Sequence, residues 1–202
     1  GYRVLAVDQS AASLAVLERR AKAAGLRDRV STLVADLAEP LALQAALPAQ
    51  PDAAIAMDVL EHLDEPQRLV RNAAALLAPG GRFLFHTLNR TLACRLLYLE
   101  LAPRLIRHSP SDVHHWDALV PPADLQRWLE LEGFRPADWG GMGPPLLQRA
   151  TWELLTSRAI RSPMRFAYRK DLSLGYLGAA ERLSPYSPRC AARQGWEALA
   201  KP

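Results

Sequence analysis

Short apolar runs alternate with amphipathic segments along the first half of the chain. Residues 3–7, the segment "RVSTLVAD" and the segment "PDAAIAMD" are rich in β-branched or small apolar residues, and each run ends at an aspartate. Such runs are typical of buried strands. Between them, apolar positions recur at helical spacing in a helix that Ser10 can cap, and again over residues 41–47. This alternation predicts an α/β fold with a mostly parallel sheet and helices on both faces.

The same pattern continues in the second half of the chain. Further strands are expected at residues 82–86, at residues 134–139 and in the segment "RKDLSLGYLGAAER". With 202 residues and 50% hydrophobic content, the chain can bury one sizeable core, so we expect one domain over residues 1–183. Residues 184–202 are rich in turn formers and predict an irregular tail to which we assign no function.

Composition and charge exclude some classes of protein. No window approaches the roughly 18–20 apolar residues needed to cross a bilayer. Cys94 and Cys190 lie far apart, which fits neither a disulfide framework nor a metal-binding knuckle. The net charge of +4 is mild and its cations are scattered without an interleaved aromatic stripe, so a nucleic-acid partner is not expected. These features favour a cytoplasmic protein that can be peripheral on the inner face of the membrane.

Three aspartates stand directly at the ends of successive predicted strands, namely Asp8, Asp36 and Asp58. Aspartate is common in turns, yet in parallel sheets ligands bind outside the carboxyl ends of the strands. Carboxylates there can accept hydrogen bonds from ribose hydroxyls or an adenine amino group. The pattern therefore favours a cofactor that contains a nucleoside, either a dinucleotide or S-adenosylmethionine. No G-x-G-x-x-G motif occurs, and we expect the first strand and its glycine-rich turn to lie upstream of Gly1.

The stretch "MDVLEHLDEP" follows the third predicted strand. Asp58, Glu61 and His62 stand at positions i, i+3 and i+4, a spacing that gathers side chains on one face of a helical turn. One interpretation is a functional site. The alternative is that the two acids favour a helix N-terminus and that the histidine serves packing.

Several longer segments resemble the class I S-adenosylmethionine-dependent methyltransferases. They are "VLAVDQS", "AMDVLEHLDEP", "LLAPGGRFLFHTLNRT" and "HHWDALVPPADLQRWLELEGF". More narrowly, they resemble the ubiquinone-biosynthesis O-methyltransferases (3-demethylubiquinol 3-O-methyltransferase), over about residues 1–183. The resemblance implies a Rossmann-like fold in which the first strand lies between the second and the fourth. Without that strand, the sheet is expected to have a gap.

The resemblance also implies roles for single residues. Asp8 would hold the ribose hydroxyls of S-adenosylmethionine, Asp36 would lie near the adenine, and Met57 would contact the methionine portion. Asp58, Glu61 and His62 occupy the positions that the family associates with a divalent metal, expected to be Mg²⁺. The family usually has glutamate in place of Asp58.

Such a metal would stabilise the phenolate of a bound catechol. Alternatively, His62 could remove the proton from the acceptor hydroxyl as a general base.

The segment that follows the fourth predicted strand is expected to contact the acceptor. By the same resemblance, Thr87, Asn89 and Arg90 would line the acceptor pocket. A helical insertion is predicted at about residues 92–118, and Pro103 should kink or split its helix.

The insertion also carries a polar stripe of Glu100, Arg104 and Arg107 opposite a broad apolar face. Its residues 92–108 could contact a membrane interface, and the alternative is a lid that packs on the core.

The resulting expectation is an O-methyltransferase for a phenolic or catechol-type ring, in particular a polyprenylated ubiquinone precursor. Other enzymes of the same biosynthesis are possible partners. Two alternatives stay open, a methyltransferase for another small molecule and a non-catalytic scaffold that keeps the fold.

Overall fold

The computed structural model describes residues 1–37, 39–105, 115–145, 148–157 and 161–184. All structural statements below refer to these ranges.

Strands and helices alternate through the first half of the chain, as the apolar pattern predicts. In order, the elements are β1 (Val4–Asp8), α1 (Ala11–Ala23), β2 (Val30–Val34), α2 (Pro40–Ala46) and β3 (Ala53–Met57). The hydroxyl of Ser10 accepts the backbone N–H of Ser13 at 3.2 Å and caps α1. Gly25, with φ of +69°, follows the end of that helix. Local capping chemistry therefore sets both ends of α1.

The second half contains the remaining strands and helices. They are α3 (Pro66–Leu76), β4 (Arg82–Leu88), α4 (Leu92–Cys94), α5 (Ala102–Leu105), α6 (Pro122–Leu131), β5 (Phe134–Gly143), α7 (Arg149–Ser157), β6 (Ala167–Arg169) and β7 (Gly175–Arg182). Strands β4 and β5 extend beyond their predicted ends. The sequence pattern did not predict α7 or the short edge strand β6.

The strands form two separate sheets. Strands β1 and β2 pair in parallel, and the second sheet has the order β3-β4-β7-β5-β6. Within it only β3 and β4 are parallel, whereas β7 runs antiparallel to both β4 and β5. The α/β class is confirmed, but the sheet is mixed rather than mostly parallel. Among the described residues, β1 is not hydrogen-bonded to β3, so the two sheets are separate.

One side of β3 is uncovered. Ile55 is 69% exposed and Met57 is 47% exposed, while Ala56, which points to the other side, is buried. A side-chain amide connects the two sheets, because Asn72 of α3 donates from Nδ2 to the carbonyl of Leu37 at 2.7 Å. The loop after β2 is thus held to the helix that packs on the larger sheet.

Aromatic side chains fill the core of the larger sheet. Phe85 lies edge-on to Trp139, with ring centroids 5.0 Å apart, and Trp139 stacks on Tyr176 at 5.5 Å. The hydroxyl of Tyr176 donates to the carbonyl of Val120 at 3.0 Å, which satisfies the polar end of a fully buried ring. This cluster fixes β4, β5 and β7 against the segment before α6.

The predicted helical insertion begins with α4, continues as a π-helix over Arg95–Leu101 and ends with α5. The wider winding directly precedes Pro103, whose ring would clash with the carbonyl four residues earlier in an α-helix. It also brings Arg95 and Glu100, five residues apart, into an ion pair at 3.0 Å. Residues 106–114, including Arg107 of the predicted stripe, lie outside the described residues. In the described ranges, no helix is long and apolar enough to cross a membrane.

Arg182 near the end of β7 should be a strong contributor to stability. Its guanidinium donates to the carbonyls of Ala74 at 2.9 Å, Glu132 at 3.0 Å and Gly133 at 3.3 Å. Hydrogen bonds to charged groups contribute about 1.5–3 kcal/mol each, so we expect Arg182→Met to lower the free energy of unfolding by about 3 kcal/mol. Urea unfolding measures this change.

Arg135→Met is the matched control for this substitution. Arg135 pairs with Glu181 on the surface, with side chains 52% and 37% exposed. Exposed pairs contribute about 0–1 kcal/mol, so this variant should change stability little. Equal losses in the two variants would contradict the structural role of Arg182.

Candidate cofactor and acceptor site

Asp8 and Asp36 follow neighbouring strands on one edge of the two-stranded sheet. Asp8 is opposite Val34 in the parallel register, and the backbone N–H of Ala35 donates to the Asp8 carbonyl at 3.3 Å. One carboxylate oxygen of Asp8 accepts the backbone N–H of Ser10 at 2.7 Å, which fixes its orientation in the turn. Both aspartates are exposed. The strand ends that carry them are therefore adjacent and open to a ligand, as the sequence predicts.

The ends of β3 and β4 form a second polar region. Met57 is opposite His86, and the backbone N–H of Asp58 donates to the carbonyl of His86 at 3.0 Å. Asp58 has φ of +53° and is the one non-glycine residue with positive φ in the described part of the chain. This backbone turn brings its Oδ1 to 2.5 Å from Nδ1 of His86. The imidazole side chain is 9% exposed and the carboxylate side chain 60% exposed, so the pair reaches from the core to the surface.

Glu61 is a buried carboxyl, with 2% of its surface exposed. The hydroxyl of Thr87 donates to its Oε2 at 2.7 Å, whereas its buried Oε1 has no hydrogen-bond partner. Burial raises the pKa of Glu61 above its ordinary value, and the nearby charge of Asp58 adds to this effect. Glu61 therefore keeps its proton to a higher pH than an exposed glutamate.

The predicted helical face for Asp58, Glu61 and His62 does not form, although the charges of Asp58 and His62 both act on the pKa of Glu61. The chain forms a short 3₁₀ turn over Leu60–His62, and Asp58 precedes it in the left-handed conformation. The i, i+3, i+4 rule requires a continuous α-helix. Here Glu61 enters the core while His62 is exposed. Within the described ranges, no group of three His, Cys, Asp or Glu side chains could hold a metal ion, so the three residues as placed do not fit Mg²⁺.

Cys94 and Tyr98 add two further titratable groups beside this region. Burial, followed by the charge of Glu61, raises the pKa of the Cys94 thiol to about 11. Burial is also the main reason that the pKa of Tyr98 is raised, with contributions from Cys94 and Asp58. Helix α4 and the π-helical segment thus place a neutral thiol and a neutral phenol near this region.

The sequence interpretation missed His86 and Tyr98 as site residues. A histidine within the apolar run "RFLFHTL" was a usable signal, because a polar residue at a core position usually has a specific partner. Tyr98 gave no such signal, since its position depends on the π-helical winding.

The three predicted acceptor-pocket residues have protein partners. Thr87 bonds to Glu61, and Nδ2 of Asn89 donates to the carbonyl of Leu172 at 2.8 Å. Arg90 lies 3.6 Å from Asp124 and is 35% exposed. Their contact with an acceptor stays a prediction. A surface cavity of about 880 Å³ lies between α3, α6 and β5, and none of the predicted site residues lines it.

Glu61 should make the stability of the protein depend on pH in a defined direction. Because its pKa is above the ordinary 4.5 in the folded state, the folded protein holds a proton that the unfolded chain has released. Stability therefore falls as pH rises from 4.5 through the raised pKa, then levels off. We expect Glu61→Gln to remove this decrease in thermal unfolding measurements across that range.

The control is Glu65→Gln, which changes a glutamate in an exposed pair with Arg68. This variant should keep the decrease seen in the unsubstituted protein. An unchanged pH profile in Glu61→Gln would show that the carboxyl does not titrate as its burial requires.

Curated relatives are similar in sequence to about half of this chain. It is 38% identical over 91 residues to the ubiquinone biosynthesis O-methyltransferase of Xanthomonas axonopodis pv. citri, covering 45% of this chain and 38% of that protein. It is 39% identical over 100 residues to the enzyme of the same name from Xylella fastidiosa strain M23, covering 50% and 41%. The chain therefore matches about two-fifths of the length of these relatives.

Solved structures share the fold at low sequence identity. The N-methyltransferase NodS from Bradyrhizobium japonicum, in complex with S-adenosyl-L-homocysteine, has a TM-score of 0.55 and 13% identity, covering 90% of this chain and 67% of that chain. The geranyl diphosphate C-methyltransferase of Streptomyces coelicolor has a TM-score of 0.57 and 18% identity, covering 91% and 64%. Their likeness supports the fold alone.

A family comparison covers more of the chain. The profile described as a methyltransferase domain matches residues 2–137, which is more than half of the sequence. The match includes β1 to β4 and the strand ends that carry Asp8, Asp36 and Asp58. The chain therefore belongs to the methyltransferase domain family, as its resemblance to the S-adenosylmethionine-dependent class I enzymes predicts.

Proposed function

We propose that this protein is an S-adenosylmethionine-dependent O-methyltransferase that acts on a phenolic or catechol-type ring, in particular a polyprenylated ubiquinone precursor. The observation that carries the cofactor assignment is the pair of exposed aspartates, Asp8 and Asp36, at adjacent strand ends of a methyltransferase domain. The acceptor class rests on the relatives that are called ubiquinone biosynthesis O-methyltransferases.

In this proposal the strand ends bind successive parts of the cofactor. Asp8, whose carboxylate is oriented by the Ser10 N–H, accepts the ribose hydroxyls, because a carboxylate offers two acceptor oxygens to a pair of vicinal donors. Asp36 lies near the adenine. Met57, half-exposed at the end of β3, contacts the methionine portion.

The proposed chemistry is a displacement at the methyl group. When bound, S-adenosylmethionine supplies an electrophilic methyl group on a sulfonium. His62, exposed beside the end of β3, takes the proton of the acceptor hydroxyl as general base. The acceptor oxygen then forms its bond to the methyl carbon as the carbon–sulfur bond breaks, and the sulfur keeps the electron pair.

The insertion could bring a lipid-tailed acceptor to this site. Leu92 is 70% exposed, Leu96 58% and Leu101 42%, so the helix presents apolar side chains to its surroundings. We propose that residues 92–108 contact the inner face of the membrane, where a polyprenyl tail resides. Contacts with other enzymes of the same biosynthesis belong to this proposal.

Cofactor binding can be measured by calorimetry with S-adenosylhomocysteine on this protein. We expect Asp8→Asn to weaken binding about tenfold or more, because hydrogen bonds to a charged group are worth about 1.5–3 kcal/mol. The control is Asp28→Asn, which changes an exposed aspartate in the turn before β2. No binding by the unsubstituted protein would favour the scaffold alternative.

The role of His62 can be tested by substitution with alanine. Removal of a general base typically slows the reaction by about 10²–10⁴-fold, so we expect His62→Ala to lose methylation rate in that range and to keep its S-adenosylhomocysteine affinity. Asp64→Ala, at an exposed neighbouring position, should keep the rate. Full activity in His62→Ala would exclude the histidine as the base.

A further inference from the structure

The acidic side chains that the resemblance assigns to a divalent cation are already hydrogen-bonded to other protein groups. Asp58 contacts His86 at 2.5 Å, and Glu61 accepts from Thr87 at 2.7 Å. The partners in these two contacts, His86 and Thr87, lie outside the predicted metal set and are neighbours on β4.

The Asp58–His86 pair is fixed by the backbone as well as by the side chains. The N–H of Asp58 donates to the carbonyl of His86, in register with the parallel pairing of β3 and β4. To turn the carboxylate towards a cation would leave the buried Nδ1 of His86 without its partner. Leaving a buried polar group unpaired is unfavourable. We infer that His86 is a positioning residue that holds Asp58 away from a metal-binding arrangement.

Like Asp58, Glu61 is poorly placed to bind a hydrated cation. Its free oxygen, Oε1, is sealed from solvent, whereas Mg²⁺ keeps several of its waters when it binds a protein. Glu61 as placed therefore does not offer this oxygen to a hydrated ion.

We propose that this protein binds its acceptor without a divalent cation, so that a single phenolic hydroxyl is sufficient for recognition. The inference rests on the proposed function and narrows its substrate class. A metal-dependent site selects catechols because two adjacent oxygens chelate the ion. Without the ion that selection is lost, and acceptors with one or two hydroxyls are equivalent at the reacting oxygen.

Metal binding to this protein can be measured independently of activity, with Mn²⁺ as the probe. Electron paramagnetic resonance measures how much Mn²⁺ stays free in solution. We expect the unsubstituted protein and Asp58→Asn to leave the same amount of Mn²⁺ free. The matched control is Asp64→Asn, which alters an exposed acid of the same loop. One bound Mn²⁺ per chain that is lost in Asp58→Asn and kept in Asp64→Asn would overturn the inference.

A spectroscopic measurement tests the pair itself. In ¹H–¹⁵N spectra of the imidazole rings, the substitution Asp58→Asn should shift the His86 signals. Adding millimolar Mg²⁺ to the unsubstituted protein should not shift these signals. Mg²⁺-dependent shifts of the His86 signals that disappear in Asp58→Asn would count against the positioning role.

The activity experiment compares a catechol with its monohydroxy analogue, with EDTA and with Mg²⁺. We expect methylation rates within about tenfold of each other, and no loss with EDTA, because no chelate contributes to the barrier. Loss of methylation in EDTA that Mg²⁺ restores would overturn the proposal, and so would a rate confined to the catechol. If the protein does not bind S-adenosylhomocysteine, the proposed function fails. The Mn²⁺ titration still shows whether the protein binds a divalent cation at Asp58.

Discussion

The parallel pairing of β3 with β4 determines where each side chain of the candidate site lies. Its register sets Met57 opposite His86 and leads directly into the bond from the Asp58 N–H to the His86 carbonyl. Since side chains alternate along a strand, the same register sends Phe85 and Thr87 to the face where Glu61 and the aromatic core lie. A slip of one residue would reverse these faces and expose the core. The chemistry at the strand ends is therefore tied to the packing beneath it.

Burial then gives the groups around these strand ends different roles. Glu61, Cys94 and Tyr98 are desolvated, and their pKa values are all raised, so each favours its neutral form. Asp58 has its side chain 60% exposed. The region thus combines a neutral interior with a polar rim.

The apolar pattern and the strand-end aspartates were sufficient to predict the fold class, the first five elements and the position of Asp8 and Asp36. They could not predict the mixed sheet, because the apolar pattern of β7 does not indicate whether the strand runs parallel or antiparallel to its neighbours. They also could not predict how the side chains of "MDVLEHLDEP" are arranged. Spacing specifies a shared face only if the helix is continuous, and the φ of Asp58 breaks that continuity.

The short side chain at position 58 determines the geometry at the end of β3. Aspartate is among the few non-glycine residues that tolerate the left-handed conformation, since its short side chain can bond locally. In that conformation the carboxylate lies 2.5 Å from Nδ1 of His86. A glutamate at this position would be strained at the same φ, and its longer chain would carry the carboxylate beyond the imidazole. The turn and the contact with His86 therefore depend on one methylene at a single position, because the residue that allows the backbone conformation is also the one whose carboxylate reaches β4.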